Sequence, residues 1–261
     1  MNIKDIQMFY SWFHHYIKQF TYNDEKIRAN MYNKKQHTFR VCKNAISLAK
    51  SQNLSDQQIY TAQAIGLFHD VGRFEQFFRY KTFRDEISVD HANLSVSILK
   101  KYDVLKHISS VESEIILKAV AYHNKYAIPN DLSDAELLFS KVIRDADKLD
   151  IFNMIIDYYE NPHFYKNEAF EDFPDRDEYK PSIVEDIINS KNVSYHDVKT
   201  KTDIKLLRIS WIYDINFNQS LQIIKDKAYI ERIIKFLPCS VDISRLHAHV
   251  NNYINGRLQT L

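Results

Sequence analysis

Glycine is scarce: the 261 residues contain three, Gly66, Gly72 and Gly256, alongside five prolines. Tight hairpins and dinucleotide-binding α/β folds need more glycine in their turns, so both are disfavoured and the chain reads as mostly helical. Cysteine is nearly absent too. Cys42 and Cys239 stand apart, with no CxxC pair to suggest a zinc ribbon or a dithiol redox motif. That usage fits a reducing, cytoplasmic setting. No run approaches ~18 uninterrupted apolar residues, so no membrane span is expected. The first twenty residues lack a basic segment followed by an apolar core, so no secretory signal is expected either. Nor does one sign of charge dominate. Lys and Arg total 35 against 34 Asp and Glu, a formal net charge of +1. No global field draws the chain to extended nucleic acid or to a membrane, and an anionic ligand must be held by local arginines and lysines.

What is present is helical periodicity. A hydrophobic content of 45% can fill one large core or two small ones. Ile3, Ile6, Tyr10, Phe13, Ile17 and Phe20 recur at spacings of three and four, which predicts an amphipathic helix. A polar stretch follows, and helical spacing resumes through His37, Val41, Ala45 and Leu48. Ser55 or Asp56 offers an N-cap for a helix running toward His69, with Gly72 as its terminating residue. The segment "RFEQFFRYKTFRDEISVD" is basic, aromatic and aperiodic, and reads as a loop with short helical pieces. Further helical faces carry His91, Leu94, Ser95, Ile98 and Leu99, then Ile116, Val120 and His123. After a cap at Ser133 come Phe139, Ile143, Asp147 and Ile151. Residues 160–180 hold two prolines and excess acid, and read as a long loop or lid. Residues 181–261 return to helices over "SIVEDIINS", "IKLLRISWIYDI", "LQIIKDKAYIERIIKFL" and "DISRLHAHVNNYIN". No linker splits the chain, so one all-α domain with an appended C-terminal helical part is expected.

Six polar residues fall on the apolar faces of these helices: His37, His69, Asp70, His91, His123 and Asp147. A single buried histidine is commonly a hydrogen-bonded core residue. Six inward-facing polar groups on separate helices would each need a partner, and one metal centre satisfies them together. Adjacent residues do not share a helix face. His69 and Asp70 therefore serve one centre only near a helix end, or if Asp70 reaches between two metals. Mixed imidazole and carboxylate donors suit zinc, iron, manganese or nickel better than calcium or magnesium.

The order His37, His69-Asp70, Asp147 resembles the HD-domain superfamily of metal-dependent phosphohydrolases over about residues 30–155. "HDVGRF" is similar to the family's His-Asp-aliphatic-Gly-basic run, and "ADKLD" to its closing motif. The resemblance implies an all-α helical bundle in which those four residues hold a divalent metal. His91 in "VDHANLSVSIL" and His123 in "AVAYHNK" resemble two further histidines of the subset that holds two metals. In that subset Asp70 would bridge, with His37, His69 and Asp147 on one ion and His91 and His123 on the other.

Two bridged ions can activate water and clamp a phosphate oxygen. Arg73, one turn after His69, and Lys148, beside Asp147, are the favoured phosphate-binding cations. Arg79, Lys81, Arg84 and Lys125 are further candidates that read equally well as solvated charge. Phe77, Phe78, Tyr80 and Phe83 could stack on a base, though core packing is the plainer role. The sequence lacks the Gly-Tyr-Pro run of cyclic-di-GMP phosphodiesterases, and shortly after His69-Asp70 it has Arg73-Phe74-Glu75 where guanosine alarmone hydrolases carry a Glu-Asp. Symmetrical diadenosine tetraphosphate hydrolases share the six-ligand order. The expected activity is thus hydrolysis of a small phosphorylated, nucleotide-like substrate, with Asp70, Arg73 and Lys148 as the catalytic group. Two rivals stay open: a di-iron oxygenase with the same ligand order, and a regulatory protein whose metal is structural.

The second His-Asp pair, His196-Asp197, sits in a polar stretch without partners and reads as a solvated turn or helix start. His14, His15, His107, His163, His247 and His249 read as ordinary histidines. In a helix, His247 and His249 stand about 200° apart.

Overall fold

The computed structural model describes residues 1–20, 24–161 and 173–259. Among these there is no β-strand, and the fold is all-α. No described helix is long and apolar enough to cross a membrane. The chain divides into two compact units, Met1–Asp150 and Ile151–Leu261.

The first unit starts with α1 (Ile3–Ile17), which Asn2 and Asp5 close with a capping box. A 3₁₀ turn follows over Lys18–Phe20. Ile6, Phe9, Phe13, Tyr16 and Phe20 are buried, so Phe9 and Tyr16 carry the core face, rather than Tyr10 and Ile17. Phe9 meets Phe68 edge-on at 5.2 Å and Phe13 meets Phe74 at 5.8 Å. Such pairs are each worth about 0.5–1.5 kcal/mol beyond burial. Helix α2 (Glu25–Ser51) begins at the Asp24 cap, so the polar stretch is helical well before His37. Helix α3 (Asp56–Phe68) is capped by Ser55, with Gln58 returning the bond.

Helix α4 (Val71–Tyr80) lies where the aromatic loop was expected. It buries Val71, Phe74 and Phe77, a helical spacing hidden among basic residues. The loop reading holds only after Tyr80, with a 3₁₀ turn at Asp85–Ile87. Helices α5 (His91–Lys101) and α6 (Ser110–Tyr122) start at the caps Asp90 and Ser109. Helix α7 (Asp134–Glu160) follows Ser133, whose Oγ lies 3.4 Å from the Glu136 amide. Within the unit α3 packs on α1, α2 and α6, while α5 packs on α4 and α6.

The second unit holds α8 (Pro181–Ile188), α9 (Lys201–Ser210), α10 (Asn218–Asp226), α11 (Tyr229–Ile234) and α12 (Val241–Gln259). The expected single helix over "LQIIKDKAYIERIIKFL" is broken, because Ala228 adopts a left-handed conformation at φ 50°. Ile224 before the break and Ile230 after it are both buried. Of the expected 160–180 lid, residues 162–172 lie outside the described residues, as does His163.

Candidate metal centre

All six residues singled out in the sequence lie in the first unit, most of them at helix ends. His37 is in the middle of α2. His69 caps the C-terminus of α3, and Asp70 is the N-cap position of α4. His91 is the first residue of α5, His123 caps the end of α6, and Asp147 lies inside α7. The adjacency of His69 and Asp70 is resolved by the α3–α4 junction. Asp70 leaves helical geometry at φ −113°, ψ 15°, and both side chains then reach one point.

Gly72 does not end the preceding helix, as the sequence suggested; it lies in the first turn of α4. Its requirement is close approach. A Cβ there would stand 2.5 Å from the His91 carbonyl oxygen and 2.8 Å from the Ser95 nitrogen. The Gly72 amide donates to Ser95 Oγ at 2.8 Å, and that oxygen lies 3.0 Å from the His69 carbonyl and 2.9 Å from the His91 carbonyl. Ser95 thus ties together the backbone under His69 and His91. Gly66 does the same for α3 on α2, where a Cβ would meet Cys42 Cα at 3.0 Å.

Each imidazole has its Nδ1 engaged. That of His37 is 2.6 Å from Asp150 Oδ2, and that of His91 is 2.6 Å from Asp85 Oδ2. Those of His69 and His123 are 2.8 Å from the Gly66 carbonyl and 2.7 Å from the Val120 carbonyl. With Nδ1–H donating, all four Nε2 atoms are turned toward Asp70. His37 and His69 Nε2 lie 3.3 and 3.1 Å from Asp70 Oδ2. His91 and His123 Nε2 lie 3.4 and 3.8 Å from Asp70 Oδ1. The two sets face different oxygens of one carboxylate. Asp147 Oδ1 joins the first set, 3.2 Å from His37 Nε2 and 3.8 Å from His69 Nε2.

Four of these six separations, 3.1–3.4 Å, match what a cation requires, and the two at 3.8 Å lie slightly beyond it. Ligand atoms about 2.0–2.2 Å from one ion stand roughly 3.0–3.5 Å from each other at octahedral to tetrahedral angles. Among the described residues, Asp70 Oδ1 and Asp147 Oδ1 are buried and accept no hydrogen bond, a cost that a cation would remove. Two groups, His37 with His69 and Asp70, and Asp70 with His91 and His123, each converge tightly enough to hold an ion; Asp147 does so with His69 and His123. The Asp147 side chain is 17% exposed against 4% or less for the other five. Asp147 is thus the most exposed of the six, although its Oδ1 is buried.

Electrostatics follow from the crowding. Burial pushes the Asp70 carboxyl up, but Lys34 and the imidazoles of His69, His123 and His37 hold it well below the usual range. Asp147 is likewise low: burial opposes ionisation, and His37 and His69 outweigh it. Burial and Lys34 lower His37, yet Asp147, Asp150 and Asp70 lift it to about 10. A cation among these carboxylates would take the place of that proton. His91 is pushed down to about 3 by burial and by Arg73, despite Asp85.

Sequence reasoning missed four neighbours. Lys34 pairs with Asp70 Oδ2. Asp150 and Asp85 back two imidazoles, and Arg40 clasps Asp150 with Nε–Oδ1 2.6 Å and Nη2–Oδ2 3.0 Å. Lys34 and Asp150 stand three residues from His37 and Asp147, so helical spacing carried a signal. Asp85 sits in a 3₁₀ turn and had none. Of the expected cations, Arg73 Nε lies 3.5 Å from Asp70 Oδ1, while its Nη1 donates to Asp85 Oδ1 at 2.9 Å, to Gln76 and to the Phe83 carbonyl. Lys148 is buried next to Asp147. Lys125 pairs with Asp90 and Arg79 with Glu75. Phe77 is buried and stacks on Phe83 at 4.6 Å, whereas Phe78 and Tyr80 are exposed.

The second His-Asp pair is a 3₁₀ turn at Tyr195–Asp197 in which Asp197 pairs with Lys180. His249 bonds Ser190 and His247 bonds Asn251. Among the described residues none of these joins a metal-capable group.

An all-α core with a convergent histidine–aspartate cluster defines a class, and the comparison with known families names it. Residues 35–161 match the family model described as HD domain. That stretch is an HD domain, which points to the superfamily of metal-dependent hydrolases and implies divalent metal binding by the His/Asp cluster. No curated protein and no solved structure matches the chain.

Proposed function

We propose that this protein is a phosphohydrolase or phosphodiesterase acting on a small, nucleotide-like phosphorylated substrate at a two-metal centre. One observation carries the reading: four imidazoles, each with Nδ1 engaged, present Nε2 to the two oxygens of Asp70. His37, His69, Asp70 and Asp147 would hold one ion, and Asp70, His91 and His123 the other. When bound, the ions would supply a water acidified to near neutral pH and a Lewis acid for the phosphoryl oxygen.

The chain's own groups do the rest. Asp70 fixes the spacing between the two ligand sets. Substrate would approach from the side of Asp147, the most exposed of the six ligands. Lys34 and Arg73 bring two cations to this centre, which suits a substrate with more negative charge than the metals alone would offset; Lys148, next in sequence to Asp147, would be a third. Arg and Lys act differently here. Arg73 is braced by Asp85 and Gln76, a fixed planar donor; Lys34 is a point charge on a flexible stem.

The test is a panel of mononucleotides and dinucleotides given to protein loaded with Mn²⁺ or Ni²⁺. Release of phosphate or a mononucleotide is expected, lost on chelation and restored by metal. Saturating ion at about 100 times its Kd should also stabilise the fold by about 2.7 kcal/mol, roughly 5–10 °C for a chain of this length. Fully loaded protein that hydrolyses nothing in the panel would overturn the reading. Iron content coupled to oxygen consumption would replace it with the oxygenase one.

A further inference from the structure

The surroundings of the six residues are built twice. In one half Arg40 holds Asp150, and Asp150 Oδ2 accepts from His37 Nδ1 at 2.6 Å. In the other Arg73 Nη1 donates to Asp85 Oδ1 at 2.9 Å, and Asp85 Oδ2 accepts from His91 Nδ1 at 2.6 Å. Each half has a second imidazole, His69 or His123, held instead by the carbonyl three residues before it. So each oxygen of Asp70 faces one carboxylate-backed and one carbonyl-backed imidazole. The elements differ entirely between the halves: α2 and α7 supply the first relay, α4 and the 3₁₀ turn the second.

We infer that Arg40–Asp150 and Arg73–Asp85 are two independent positioning relays, each governing the metal affinity of its own half of the centre. This rests on the metal-centre reading above. A carboxylate behind an imidazole fixes its ring and raises its basicity as a ligand. The arginine in turn keeps that carboxylate ionised and aimed. Asp150 is 2% exposed at its side chain, so without Arg40 it would be a buried charge shared with His37 alone. Asp85 has further donors in Gln76, at 2.8 Å, and Asn124, at 3.3 Å. The second relay therefore depends less on its arginine than the first. Arg73 also reaches Asp70 through Nε, so any hold it has on a phosphate uses what Asp85 leaves free. Arg40 makes no such contact with Asp70, and its side chain is 41% exposed.

The experiment measures Zn²⁺ affinity by competition with a chromophoric chelator, in two backgrounds. In the wild type two binding steps are expected. Asp150→Asn should weaken one of them by about 10–100-fold, and Asp85→Asn the other by a similar factor. The assignment is made with His123→Ala, which removes the second half. In that chain Asp150→Asn should still weaken the remaining step, and Asp85→Asn should leave it within about threefold. Arg40→Gln, at a half-exposed position, guards against misfolding of the buried variants; it should weaken the first half alone, by less than Asp150→Asn does. Equal loss in both steps, or none, would overturn the independence of the relays while leaving the metal centre standing. A wild type that takes up no Zn²⁺ would overturn both.

Discussion

Asp70→Ala is expected to abolish hydrolysis, by at least a factor of about 10³, and to remove metal from both halves. The factor follows from the several kcal/mol that metal-ion catalysis supplies, with each 1.36 kcal/mol worth tenfold in rate. Asp70 is singular because its two oxygens face different pairs of imidazoles, at 3.1–3.3 Å and 3.4–3.8 Å. Among the described residues no other presents a separate oxygen to each pair. By contrast His123→Ala should spare the half built on His37, His69 and Asp147. The measurement is kcat/KM with metal content on the same sample. If Asp70→Ala retained more than about a tenth of wild-type turnover, the centre as described would not be the reacting one.

Gly72→Ala should be the most damaging single-methyl change in the first unit. The added carbon would stand 2.5 Å from His91 O and 2.8 Å from Ser95 N. These are backbone atoms of α5 and cannot swing aside as a side-chain tip does. Overpacking of this kind costs typically about 1–3 kcal/mol, or roughly 2–12 °C in Tm at this chain length. The second consequence is functional. Relief of the clash moves α5 away from α4, and His91 is the first residue of α5. Affinity in the half holding His91 should therefore fall along with Tm. Gly66→Ala is the control: its tightest contact is 3.0 Å, to Cys42 Cα, and it lies away from His91. A Gly72→Ala protein with unchanged Tm and unchanged metal affinity would contradict the role given to this glycine.

The helical character of the chain was legible from its shortage of glycine and from spacings of three and four. The six convergent residues were legible because charge and imidazole on an apolar face are costly alone. Three features were not. Helix α4 was hidden because Val71, Phe74 and Phe77 are interleaved with arginine and glutamate. The break at Ala228 carries no glycine or proline to announce it. Lys34 and Asp150 were missed although each stands one turn from a ligand, since a polar residue on a long helix is normally a solvated one. Asp85 had no periodicity to betray it; its place beside His91 arises from the turn between α4 and α5. Gly72 was noticed for the wrong reason, because glycine after a histidine–aspartate pair looks like a helix end when its actual service is contact.

The most direct test is the count of divalent ions retained per chain. Protein prepared without chelator, loaded with Zn²⁺ or Mn²⁺ and passed through gel filtration, would be assayed by elemental analysis beside His37→Ala and His123→Ala. Retention of about two ions by the wild type and about one by each variant is the outcome that the paired ligand sets require. A wild type that retains none, or variants that retain as much as it does, would mean that these imidazoles and carboxylates meet for some purpose other than holding metal.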